Sequence, residues 1–323
     1  MMEQQARGGR LVGLVHVGGA LPNVALMRLS AYHKALGDSV LLNPTPMDHP
    51  DLIYISTLFT WRRREVEALA AYFGGADVQI GGSGWDLGLR LPPEVDAMPN
   101  DYDLYCIDYG MGYTSRGCIR RCAFCPVPRA EGAIREDVPL GELLNPRSNK
   151  VMLLDNNFFA SDWRPKVAEI EARGLVVDWP QGNDIRLMTP EIAAALWRLR
   201  ERGQLASDRF TRRPGFLHFA WDLPSNDART EDVVAGLRLL MTAGFKPYYL
   251  RVYVLIGFPG YSVEEELHRI TALHGLGIEP YVMVYRDYGE RDTRDRTRMD
   301  IQHWNNGHVW KRVPFAEYRR SAA

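Results

Sequence analysis

Cysteine is scarce in this chain: four residues in 323, at positions 106, 118, 122 and 125. With three of them inside eight positions, they do not make the dispersed, paired framework of a disulfide-stapled secreted protein. The expectation is a reduced, cytoplasmic chain whose thiols serve a metal. Long apolar runs are missing too, and nothing approaches the ~18 residues of a helical membrane span. The start of the chain, Met1–Arg10 followed by Leu11–Val17, has the outline of a charged and then an apolar targeting region. A helix-like segment follows at once, which favours a buried first strand instead. An excess of one charge is also lacking, since 39 basic side chains face 40 acidic ones for a net −1. That gives no strong electrostatic footprint for a nucleic-acid polymer. Only residues 286–323 lean basic, by nine to six.

What is present is an alternation of strand and helix signals. Leu11–Val17 reads as a strand, Asn23 as the cap of a helix to Leu36 with Gly37 as its stop, and Leu52–Leu58 as a buried strand. A helix over Arg62–Phe73 and a short strand Val78–Ile80 complete a small parallel α/β unit. Turn residues dominate from Ser83 to Tyr105, including Pro92-Pro93, and mark a linker. Beyond the cysteines come strand Val151–Leu154, helix Asp162–Arg173 closed by Gly174, and strand Leu175–Trp179. A helix opens at Thr189-Pro190 with proline at its favoured first position. Strand Phe216–Trp221, helix Thr230–Ala243, strand Tyr248–Ile256, a capping box at Ser262–Glu265 and strand Glu279–Tyr285 follow. With one cryptic strand ahead of the cysteines, this makes roughly six βα units. The fold class expected is α/β: an N-terminal Rossmann-like domain (1–100), a partial (β/α)6 TIM-type barrel (101–288) and a C-terminal extension (289–323).

The spacing Cys118-x₃-Cys122-x₂-Cys125 supplies three thiolates, one short of a closed tetrahedral zinc site or a fully ligated [4Fe–4S] cluster. Cys106 is available to complete zinc in a binding module. Alternatively, a three-cysteine cubane leaves one iron open to a small molecule. The loop around the cysteines is rich in glycine and arginine and precedes the βα units, where a barrel carries its catalytic loops.

With Phe124 just before the third cysteine, this segment resembles the radical S-adenosylmethionine enzymes. The resemblance implies a [4Fe–4S] cluster on Cys118, Cys122 and Cys125 whose open iron chelates S-adenosylmethionine. One electron then cleaves the sulfonium to give methionine and a 5′-deoxyadenosyl radical, which abstracts hydrogen from the substrate. An electron donor such as flavodoxin or ferredoxin is implied as partner. Asp155, Asn156 and Asn157 stand where many family members bind the methionine amino group with Gly-Gly-Glu. Asp184 and Arg186, in Asn183–Arg186, correspond to the carboxylate- and ribose-holding positions, for which an arginine suits a carboxylate. Asp222 is a candidate ribose ligand, and Ile256 and Gly257 fall in the segment whose backbone meets adenine. The first hundred residues are similar to the cobalamin-binding domain that precedes many such enzymes, through Ser56–Leu58 and Gly81-Gly82. Its Asp-x-His-x-x-Gly signature is broken, with Leu14 in place of the aspartate ahead of His16. A cobalamin-loaded and a degenerate domain both remain open.

Nearly the whole length is similar to short radical proteins common in bacteriophage and bacterial genomes. Pro22–Lys34, Leu91–Glu94, the cysteine loop, Gln181–Arg186, His218–Asp222 and Pro280–Tyr285 carry that likeness. It implies a hydrogen abstraction followed by rearrangement, an isomerase-type reaction on a modified nucleotide such as a hypermodified thymidine; cobalamin-dependent methyl transfer is the alternative. One cysteine outside the triad cannot hold an auxiliary cluster, so methylthiotransferases, and methylases with two further catalytic cysteines, are excluded. Substrate ligands are expected at the ends of barrel strands: His218, Trp221, Arg251, Tyr253, Tyr285 and Arg286. Arg209–Arg213 reads as a solvated loop. The tail His303–Arg312 interleaves aromatic and basic residues, either as a single-stranded nucleic-acid surface or as a closing helix. The substrate is thus a small molecule or nucleotide, with nucleic acid still open and no membrane involved.

Overall fold

A computed structural model describes residues 9–205, 217–224, 227, 229–286 and 295–318. The chain divides into two compact units, the first within 9–111 with Gly141–Ser148 and the second holding most of the rest. Among the described residues, no helix is long and apolar enough to cross a membrane.

In the first unit, strands β1 (Leu11–Val17), β2 (Ser39–Leu42), β3 (Leu52–Thr57) and β4 (Asp77–Gly81) form one parallel sheet in the order β2-β1-β3-β4. Helices α1 (Val24–Ala35), α2 (Arg63–Tyr72) and α3 (Pro93–Asp96) accompany it. The near-continuous apolar run of β1 follows from burial on both faces. Val12 and Leu14 pack with Leu26 and Leu29 of α1, while Val15 and Val17 share a cluster with Val66 of α2 and Phe73. Asn23 caps α1 as its sequence position predicts, accepting the Leu26 N–H at 3.2 Å and donating to Ser56 Oγ at 2.9 Å. Strand β2 goes beyond the sequence reading; its four residues alternate exposed and half-buried and lack a long apolar signal. The stretch read as linker also holds α3 and a short 3₁₀ turn at Tyr102–Tyr105.

The chain passes into the second unit at the last residue of β5 (Gly110–Gly112), and that unit contains the antiparallel hairpin β6 (Ser115–Arg116) and β7 (Arg135–Glu136), with α4 (Val127–Ala130) between them. Then come β8 (Lys150–Leu153), α5 (Trp163–Arg173), β9 (Val176–Asp178), β10 (Asn183–Asp184), α6 (Pro190–Glu201), β11 (Leu217–Ala220), α7 (Thr230–Ala243), β12 (Leu250–Ile256), α8 (Val263–Gly275), β13 (Glu279–Val284) and α9 (Arg296–Asn306). The caps follow the sequence. Thr189 Oγ1 accepts the Ile192 N–H at 3.2 Å ahead of Pro190, and Ser262 Oγ accepts that of Glu265 at 3.1 Å.

The expected single barrel sheet is not what the hydrogen bonding shows. The strands fall into two sheets, β5-β8-β9 and β10-β11-β12-β13, with β8 parallel to β9 and β10 to β13 parallel throughout. The interruption has a local cause. Pro180 lies between β9 and β10 and lacks an N–H for a ladder, and the free side of β9 is bridged by Leu205 to Val177. The expected C-terminal extension is part of this second unit. Asn305, buried in α9, donates to the Pro280 carbonyl at 2.8 Å, and Asn306 donates to that of Val282 at 2.9 Å. The aromatics of the tail are turned to packing: Trp304 is 4% exposed and donates to the Val313 carbonyl, and Trp310 stacks on His274 at 3.6 Å. The Arg209–Arg213 loop lies outside the described residues.

Candidate functional site

The cysteine loop springs from the β6–β7 hairpin. Gly117 opens it with φ +78, and a Cβ there would come within 2.2 Å of the Ala133 carbonyl oxygen, so only glycine fits without strain. Its N–H donates to Glu131 at 2.9 Å, and Glu131 also accepts from Asn156 at 2.5 Å. Arg116 braces the base, donating to Asp137 at 2.8 Å with its guanidinium 4.1 Å from the Tyr113 ring centre. Inside the loop, Cys125 N–H closes a turn on the Cys122 carbonyl at 3.0 Å. Phe124 meets Phe258 edge-on at 5.7 Å, and Phe258 meets Tyr261 and Tyr285 in the same manner.

Cys118, Cys122 and Cys125 line one open cleft. The same cleft is lined by Phe124, Asn156, Asn157, Asp184, Arg186, Trp221 and Asp222, ten of the sequence candidates in all, and also by Arg120, Gly182 and Val233. Burial pushes the Cys125 thiol up to about 11, with the neighbouring Cys122 and Cys118 adding to the effect. Burial raises Cys122 as well, against the pull of Arg186. These thiols therefore ionise readily only when a cationic centre takes the charge.

Asp184 organises the polar wall. It accepts from Arg120 Nε at 2.7 Å and from Arg186 Nε at 2.6 Å and Nη2 at 3.0 Å. Burial alone would raise its pKa, but the hydrogen bonds from Arg186 and Arg120 outweigh that and hold it below the ordinary aspartate value. Two guanidiniums on one carboxylate leave a net positive charge beside the thiols. Asp222 takes the opposite path. Burial pushes its carboxyl up, although Leu255 N–H donates to it at 2.9 Å and Arg269 and Arg186 favour the charged form. Arg120 had no signal of its own in the sequence beyond its place between two cysteines.

The remaining candidates stand outside the cleft lining. Asp155, 1% exposed, accepts from the N–H and hydroxyl of both Thr114 and Ser115 at 2.6–3.1 Å, which fixes the loop end rather than facing the cleft. His218 is 3% exposed, with Nδ1 3.1 Å from the Trp179 carbonyl and its ring stacked on Tyr253. Tyr253 donates its hydroxyl to the Pro180 carbonyl at 2.9 Å. Arg251 is paired in register with His218 on β11 and Glu279 on β13. Ile256 is fully buried and its carbonyl accepts Tyr285 N–H at 2.8 Å, while Gly257 N–H is taken by Glu266 at 2.6 Å. Arg286 is half-buried just after β13. Among the described residues, no three His, Cys, Asp or Glu side chains converge on the position of a single metal ion.

In comparisons with known proteins, no family model matches this chain and no curated protein matches it.

Proposed function

We propose that the chain is a radical S-adenosylmethionine enzyme, with the first unit a small Rossmann-like domain and the second an arc of a partial barrel. The observation that carries this reading is the meeting of all three cysteines with Arg186, Asp184 and Asp222 in one cleft. Soft thiol donors suit iron–sulfur chemistry, and a cubane takes its three thiolates at three separate irons rather than at one point. Cys118, Cys122 and Cys125 would hold the [4Fe–4S] cluster. When bound, the cluster and S-adenosylmethionine supply one electron and a 5′-deoxyadenosyl radical for hydrogen abstraction.

The chain's own residues bind and orient. Arg186, fixed in its rotamer by Asp184, presents the remaining face of its guanidinium to a carboxylate. Asp222, which lines the same cleft and accepts the Leu255 N–H through one carboxylate oxygen, suits hydrogen bonding to sugar hydroxyls. Phe124, locked on Phe258, keeps the third cysteine and the 257–261 turn in register. The reaction we favour is an isomerase-type rearrangement of a small molecule or nucleotide, in the cytoplasm, with electrons from a flavodoxin or ferredoxin.

Metal analysis of anaerobically purified protein tests this. About four irons per chain and little zinc are expected, and Cys122→Ala should abolish the iron–sulfur absorbance. Stoichiometric zinc, or a full cluster in the variant, overturns the assignment.

A further inference from the structure

Asn157 was expected to meet a ligand through its amide, yet both ends of that amide are engaged within the protein. It is 2% exposed. Its Oδ1 accepts the Asp184 N–H at 3.4 Å, and its Nδ2 donates to Cys118 Sγ at 3.8 Å. The same sulfur accepts the Arg120 N–H at 3.4 Å. Cys118 thus receives two N–H donors, and both donors trace to Asp184: the Asn157 side chain through the Asp184 backbone N–H, and the Arg120 guanidinium through the Asp184 carboxylate.

We propose that Asn157 is a positioning residue that acts through Cys118, bridging the cysteine loop to the β10 turn and raising the reduction potential of the bound cluster. The proposal rests on the cluster reading above. Reducing a cluster by one electron places more charge on its sulfur ligands. An N–H directed at a ligating sulfur stabilises that added charge, so the reduced form gains and the potential rises. The amide also fixes which way Cys118 points, because its other end is tied to the backbone of β10.

The test uses full-length protein reconstituted anaerobically as wild type, Asn157→Asp and Asn157→Ala, with iron counted and the midpoint potential read by redox titration followed by electron paramagnetic resonance. Asn157→Asp keeps the acceptor for Asp184 N–H but replaces the donor by a charged oxygen; Asn157→Ala removes both bonds. Midpoints more negative than wild type are expected in both variants, with the aspartate variant lower. Loss of iron from both with unchanged circular dichroism also supports the bridge to Cys118. Midpoints equal to wild type overturn the proposal while leaving the cluster reading intact, and loss of fold together with iron in both variants overturns it as well. A wild-type protein that takes up no iron removes the cluster reading itself.

Discussion

At the scale of single residues, the cleft depends on one carboxylate that serves two cations. Asp184 has an 8% exposed side chain, while its partners Arg186 and Arg120 are 11% and 31% exposed. Breaking a fully buried pair costs ~3–5 kcal/mol; with Arg120 one-third exposed, Asp184→Asn should cost about 2 kcal/mol at neutral pH, read by urea unfolding. The pH dependence has a definite sign. The folded pKa lies below the unfolded value, so the stabilisation is present above the unfolded pKa and is lost as pH falls through the folded one. The gap between Asp184→Asn and wild type should therefore close in acid, as pH falls below the ordinary aspartate range. A gap that persists there would mean that shape, not charge, is what Asp184 contributes. The cysteines were legible in the sequence because three thiols at close spacing have few uses. The role of Asp155 was not, since four donors from Thr114 and Ser115 reach it from 40 or so positions away.

At the scale of elements, the caps and stops of the helices could be read from local chemistry alone. Asn23, Thr189 and Ser262 each accept the N–H that their positions predict. Strand pairing was less legible, because short strands such as β9 and β10 hold too few residues to announce a neighbour. The C-terminal helix shows another limit. Arg298 of α9 donates to Glu266 of α8 at 3.0 Å and to the Tyr261 carbonyl at 2.9 Å, and it also pairs with Asp295. Glu266 is fully buried and in turn accepts the Gly257 N–H. Burial pushes Glu266 up, and Gly257 N–H and Arg298 act against that rise. Arg298→Met should thus strand a buried acid, costing about 3 kcal/mol in thermal unfolding. Adding Glu266→Gln to it should recover part of the loss, because the stranded charge is gone. If the double variant is no better than the single one, packing of the Arg298 stem over Gly257 dominates instead.

At the scale of the whole molecule, the two units raise separate chemical questions, and the first unit bears on the choice between rearrangement and methyl transfer. Its parallel sheet reverses direction of winding between β1 and β3, where such sheets commonly bind ligands. The residues that a cobalamin-binding domain would use there are differently disposed. Leu14, at the place of the signature aspartate, is fully buried in the core with Leu26 and Leu52. The His16 ring has Nδ1 3.3 Å from the Tyr105 hydroxyl and Nε2 enclosed with no hydrogen-bond partner among the described residues. Burial lowers the pKa of His16, against a backbone hydrogen bond at Gly18 that raises it. A neutral imidazole is a metal ligand by chemistry, but its Nε2 is enclosed rather than presented to a ligand, and Leu14 stands where the signature aspartate would orient the ring. Protein refolded with hydroxocobalamin should therefore emerge from gel filtration without corrinoid absorbance, and His16→Ala should change nothing in that result. Corrinoid retained by wild type and lost from His16→Ala would show that the ring opens to cobalt, and the reaction would have to be reassigned to methyl transfer.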